Sequence, residues 1–316
     1  MSVKAVIFDL DGTLYEPSHF ALRLIAANPF KAGMLARERK CRKFLKGREF
    51  PDAQGYYSTL FSLMAKGNGA KAERCRDWFW NCYMPLQARI IRKCFAKRPG
   101  IVELLRELRS KSIKTAVLSD YGMVQEKLAA CGLDSSLFDG IWESPALGGL
   151  KPCPRVFEEA CRMLGVKPCE ALMVGDRCDT DGGALSAGLQ FIHLIPSAGS
   201  PDTGAAAGSS CAGSEPTVLA GAGSAARLST SRSSCAGSAP TVLADADSAA
   251  AYGTEDPQRV EYSDAPKASH KEQDTPLNNN FAEMDWKALQ TFLHTIQPGL
   301  FNKESSWVGY LVIRAL

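Results

Sequence analysis

A chain of 316 residues has room for about two domains and a sizeable core. Hydrophobic residues make up 45% and charged residues 22%, close to ordinary soluble usage, which excludes wholesale disorder, a collagen-like repeat and a multi-span membrane protein. Lys plus Arg number 37 against 34 Asp plus Glu, and the resulting +3 is too small a bias to imply nucleic acid or an anionic membrane as partner.

The first apolar run, residues 3–8, meets Asp9 too soon to be the apolar segment of a secretory signal, and no stretch reaches the ~18–20 apolar residues of a membrane span. The 11 cysteines sit in apolar contexts and read as reduced thiols, so the expected location is cytoplasmic. Residues 3–8, 113–118, 171–174 and 191–194 read as strands buried on both faces. Between them, Ile101, Leu104, Leu105 and Leu108 fall at i, i+3, i+4, i+7, and Val156, Phe157, Ala160 and Leu164 mark a second helix. The alternation predicts an α/β fold, a Rossmann-like parallel sheet with helices on both faces.

Residues 16–97 break that rhythm. They read as helices without strands, with spans at 21–27, 34–45 and 70–94, and Pro99-Gly100 restarts the alternation. Within them Arg37, Arg39, Lys40, Arg42, Lys43, Lys46 and Arg48 surround a helix and read as a solvated face. Trp78, Phe79, Trp80 and Tyr83 read as the core of a small helical unit. After Leu194 the composition shifts. Residues 196–276 are rich in Ala, Gly, Ser, Pro and Thr, carry five basic and ten acidic side chains, and read as a disordered low-complexity linker. The eleven residues from Ser210 recur, with one change, at Ser234, a direct repeat of 24 residues with too few bulky side chains for a solenoid. Without that segment the chain has 32 basic and 24 acidic residues, which favours anionic ligands. The last segment, 277–316, has apolar residues with partial helical periodicity at Phe281, Met284, Leu289, Phe292 and Leu293 and a strand-like run at 307–313. It either completes the sheet or docks elsewhere.

The chemistry-bearing residues fall where strands end. Asp9 and Asp11 leave the first strand, with Gly12 permitting a turn and Thr13 following. Ser119-Asp120 ends the strand at 113–118, Lys151-Pro152 stands in a loop before a helix, and Gly175-Asp176 and Asp181 follow the strand at 171–174. Asp-Gly alone is a common turn, and each other piece alone has an equally plain structural reading. All four in order, each after the right element, are not what turns produce. Only four His occur, far apart in sequence, which leaves little material for a His metal site or a Ser-His-Asp triad.

Together the four pieces resemble the haloacid dehalogenase superfamily over residues 3 to about 194, in the branch with a helical cap inserted after the first motif, similar to phosphoglycolate phosphatases. The resemblance implies core at 1–15 and 98–195, cap at 16–97, Asp9 as nucleophile and Asp11 as general acid and base. It implies phosphate contacts from Thr13, Ser119, Asp120 and Lys151, and a Mg²⁺ ligated by Asp9, the Asp11 main chain and Asp176. Asp181, which fits the family spacing better than Asp179, would orient the metal site without binding the ion. Such a constellation suits phosphoryl transfer: a hard cation offsets the charge of a phosphomonoester, a carboxylate attacks phosphorus, and a second carboxylate protonates the leaving oxygen. Dehalogenase-like members lack that second Asp, so Asp11 favours phosphoryl transfer. The expected activity is Mg²⁺-dependent hydrolysis of a small phosphorylated metabolite through an aspartyl-phosphate, without nucleic acid or membrane partners. A phosphosugar mutase of the same superfamily, or a phospho-accepting module without turnover, shares these carboxylates.

Overall fold

The computed structural model describes residues 3–196 and 281–296; the expectations for the low-complexity segment with its repeat, and for 307–313, fall outside them. Six strands form one parallel sheet: β1 (Ala5–Phe8), β2 (Lys114–Ser119), β3 (Gly140–Glu143), β4 (Ala171–Gly175), β5 (Gln190–Leu194) and β6 (Phe281–Met284). Their spatial order is β3-β2-β1-β4-β5-β6. Between β1 and β2 lie α1 (Phe20–Ala27), α2 (Ala32–Leu45), α3 (Ala53–Ala65), α4 (Gly69–Trp78), α5 (Met84–Cys94) and α6 (Ile101–Ser110). The helix α7 (Val124–Ala130) follows β2, α8 (Pro154–Leu164) precedes β4, and α9 (Trp286–Thr295) follows β6.

Every residue of β1 is buried, which explains why it reads as an unbroken apolar run rather than an alternation. Successive side chains still go to opposite faces. Val6 and Phe8 join Leu104, Leu105 and Leu108 of α6 and Leu289, Phe292 and Leu293 of α9, while Ala5 and Ile7 meet Val156, Phe157 and Ala160 of α8. Each fully buried Leu or Phe here contributes about 1.5–3 kcal/mol relative to exposure. Because β2 and β4 flank β1, the strand order reverses there, and a crevice opens at the carboxyl ends of all three.

The helices between β1 and α6 have a core of their own, in which Leu35 and Leu45 of α2 and Tyr56, Leu60 and Met64 of α3 pack with Trp78, Phe79 and Tyr83. Trp78 and Tyr83 stack with centroids 5.0 Å apart. Leu150, from the loop before α8, belongs to the same cluster, so this layer rests on the loop that carries Lys151. The span expected as one helix at 70–94 is instead α4 and α5 joined by a wider π-type turn at Phe79–Tyr83, a winding that often marks functional sites.

Helix α3 escaped the sequence reading because its Tyr and Thr residues are mediocre helix formers. Asp52 caps it by accepting from the Gly55 amide at 2.8 Å, and Tyr56, Leu60 and Met64 bury one face. The edge strand β3 is short and only partly buried, which denies it an apolar signature. Phe281 and Met284, read with α9 as one helical pattern, belong to β6, and Asp285 starts α9 by accepting from the Ala288 amide at 2.8 Å. Among the described residues no helix is long and apolar enough to cross a membrane.

Candidate active site

The carboxyl end of β1 delivers Asp9, whose amide donates to the Val174 carbonyl of β4 at 2.9 Å and whose side chain is nearly covered. Lys151 reaches it from the loop before α8. Its Nζ lies 2.6 Å from Asp9 Oδ1, 2.6 Å from Asp181 Oδ1 and 3.2 Å from the Leu118 carbonyl. The lysine is itself oriented, since its amide donates to Asp120 Oδ1 at 3.1 Å. Ser119 ends β2 fully buried and accepts from the Tyr121 amide at 3.1 Å. Thr13 is also buried, and its hydroxyl has no partner.

Asp176 follows β4, and one carboxylate oxygen each from Asp9, Asp176 and Asp181 fall within 4.8 Å of one another. Burial pushes the Asp9 carboxyl well above the usual range in spite of the Lys151 ammonium, and it raises Asp181 as well. Asp176 is pushed up to about 7, by burial first and by the Asp181 charge second. For Lys151, burial opposes the charge, but Asp181 and Asp9 outweigh it and hold the ammonium well above its ordinary value.

Asp11 leaves the strand beside this group rather than in it. Its carboxylate accepts from Lys127 Nζ at 3.0 Å and from the Tyr15 hydroxyl. The fully buried Lys127 went unnoticed in the sequence; its only signal is a Lys on the same helical face as Val124 and Leu128. Arg98 was missed as well. It ties down the turn after Asp11 by donating to the Thr13 carbonyl at 2.8 Å and the Gly12 carbonyl at 3.0 Å. His193 of β5 lies 3.0 Å from the Asp176 carbonyl and 3.1 Å from Glu283 of β6, so the strand added after the long segment braces the Asp176 loop.

The basic run on α2 is not simply a solvated face. Arg42 pairs with the buried Glu38, donates to the Asp120 carbonyl at 2.9 Å and covers the Tyr121 ring, because α2 lies against the loop after β2 rather than against solvent there. Asp9, Asp11, Asp120, Lys151, Asp176 and Asp181 all line one hollow of about 170 Å³, which the helical layer closes with Phe20, Arg39, Tyr83 and Gln87. The eight residues singled out from sequence thus gather at one edge of the sheet, Ser119 and Thr13 buried among them.

Gly12 makes the close approach possible. Its φ is +105°, and a Cβ there would overlap the Asp176 carboxylate. Gly12→Ala is expected to cost about 1–3 kcal/mol of stability through backbone strain alone, read as a lowered urea midpoint; an unchanged midpoint would mean that the turn relaxes freely.

The arrangement offers hard oxygen donors for a divalent cation, a buried ammonium between two carboxylates, and a second carboxylate held by Lys127 and Tyr15. Residues 3–188 match a family described as haloacid dehalogenase-like hydrolase. Two archaeal proteins named glyceraldehyde 3-phosphate phosphatase are similar. The one from Methanothermobacter thermautotrophicus is 32% identical over 198 residues, 60% of this chain and 84% of that protein. The one from Methanopyrus kandleri is 32% identical over 203 residues, 61% and 84% of the two chains. Among solved structures, L-2-haloacid dehalogenase from Xanthobacter autotrophicus aligns over 61% of this chain and 77% of its own, with 24% identity and a TM-score of 0.43.

Proposed function

The chain belongs to the haloacid dehalogenase-like hydrolase family, and we propose that it is a Mg²⁺-dependent phosphatase that hydrolyses a small phosphomonoester through an aspartyl-phosphate on Asp9. The observation that carries this reading is the convergence of Asp9, Asp176, Lys151 and Asp11 on one hollow. Hydrolysis of phosphomonoesters also agrees with the names of the two archaeal relatives.

The donor set fits a magnesium ion. Asp176 Oδ1 is buried with no hydrogen-bond partner, and two further carboxylates crowd it, an arrangement that is costly without a cation. Asp9, Asp176 and the Asp11 main chain would hold the ion. Asp181 is better suited to orientation, since its Oδ1 accepts from Lys151 and its Oδ2 from the Arg177 amide at 3.2 Å. Bound there, Mg²⁺ supplies charge neutralisation and Lewis-acid polarisation at a phosphoryl oxygen.

Lys151 holds Asp9 by Oδ1 and so aims the carboxylate into the hollow. An Asp9 oxygen forms a bond to phosphorus as the bond to the substrate oxygen breaks, and Asp11 gives its proton to that leaving oxygen. Asp11, now a carboxylate, takes a proton from water, whose oxygen attacks phosphorus and frees Asp9. Lys127 and Tyr15 keep Asp11 placed through both steps. Ser119, Thr13 and the main chain of Asp120 would hold the phosphoryl oxygens. In this reading α1 to α5 are the cap, which limits water and selects the substrate.

Release of para-nitrophenol from para-nitrophenyl phosphate tests the reading. EDTA should reduce the rate to background and Mg²⁺ should restore it. Turnover that persists in EDTA would remove the metal from the mechanism, and no turnover under any divalent ion would remove the phosphatase.

A further inference from the structure

The hollow over Asp9 opens sideways. Arg39, Asp120, Tyr121, Arg177 and Thr180 line it and also line a second cavity, of about 450 Å³, beside it. Five cations face that second space, Arg39, Arg42, Lys43, Lys46 and Arg177, against the carboxylates of Asp120 and Asp179. Most of this charge is already matched. Arg42 is paired with Glu38, and both Lys46 and Arg177 pair with Asp179. Asp120 Oδ1 is taken by the Lys151 amide.

Arg39 and Lys43 are the exceptions, since neither meets a carboxylate among the described residues. They stand at i and i+4 on α2, so they form one stripe, with Lys46 just past the end of the helix. A merely solvated stripe would face away from the sheet. This one is held over the site, because Arg42 on the same helix fastens α2 to the Asp120 carbonyl and the Tyr121 ring. The stripe therefore extends from the edge of the catalytic hollow into a cavity with surplus positive charge, of a size suited to a small ligand.

We infer that Arg39 and Lys43 bind a second anionic group of the substrate, so that the phosphomonoester cleaved at Asp9 carries a carboxylate or another phosphate on the same short molecule. The inference rests on the phosphatase reading above and adds its substrate class. Arg39, a planar fork shared by both cavities, suits the bidentate contact, and Lys43 adds a point charge further in.

Three synthetic probes of equal chain length test it: propyl phosphate, 3-phosphonooxypropanoate and propane-1,3-diyl bisphosphate, each scored as kcat/KM for phosphate release with Mg²⁺. The carboxylate or the bisphosphate probe should exceed propyl phosphate by about tenfold or more, the effect of one charge-assisted contact, and whichever leads identifies the second group. In Arg39→Ala and in Lys43→Ala that ratio should fall towards one through a raised KM for the doubly anionic probe, and Arg39→Lys should recover part of it. Two variants guard against one failing to fold. Turnover of propyl phosphate with no advantage for either other probe overturns the inference and leaves the phosphatase standing, as does a ratio that both Ala variants leave unchanged. Absence of turnover of all three probes removes both.

Discussion

Asp9→Asn should abolish phosphate release, with a loss of at least about 10³-fold, because an amide of the same shape cannot supply the attacking carboxylate oxygen. The same substitution should leave the fold intact. Asp9 is buried against Lys151 at 2.6 Å, and Asn can still accept from that ammonium. Its carboxyl stands well above the usual range chiefly through burial, so its charge is a cost to the folded chain that grows as pH rises through that raised value. The metal-free variant should therefore melt no lower than the natural protein at about pH 8. Thermal unfolding in EDTA separates the two effects: lost activity with a retained midpoint assigns Asp9 to chemistry, lost activity with a collapsed midpoint assigns it to structure. Turnover within tenfold of the natural protein would eliminate Asp9 as nucleophile.

The part of the site that was legible in the sequence is the part carried by the central strands. Because β1, β2 and β4 are buried on both faces, each reads as an apolar run whose end is sharp, and the polar residue just past that end is thereby placed at the sheet's carboxyl edge. Adjacency of the three strands then brings Asp9, Ser119 and Asp176 together without further information. What stayed hidden depends on contacts between elements far apart in sequence. Lys127 is one charged residue on a short helix, and only packing reveals that it faces Asp11 across 116 residues. Glu38 and Arg42 lie in a run of basic residues that looks solvated until α2 is laid against Tyr121. β6 lies beyond the low-complexity segment, where four residues with one buried side chain give no period to read.

Lys151→Ala carries the largest expected cost in stability, about 3–5 kcal/mol, because it leaves Asp9 and Asp181 buried without their shared counter-ion. Lys151 is held above its ordinary value once its two partners overcome burial, so its favourable contribution is fully present across neutral pH and is lost only far into the alkaline range. The pH dependence of the variant then comes from the carboxylates. Burial already raises both, and without the ammonium they accept protons more readily still, which neutralises them as pH falls. Urea unfolding in EDTA should show a smaller deficit at about pH 5 than at about pH 8. Adding Asp181→Asn to Lys151→Ala should recover a substantial part of the loss at the higher pH, since one uncompensated charge is then gone, and the double-mutant cycle should return a coupling of about 0.5–3 kcal/mol. An equal deficit at both pH values, with the two substitutions simply additive, would reduce Lys151 to a space-filling role and break the link between its ammonium and the carboxylates it touches.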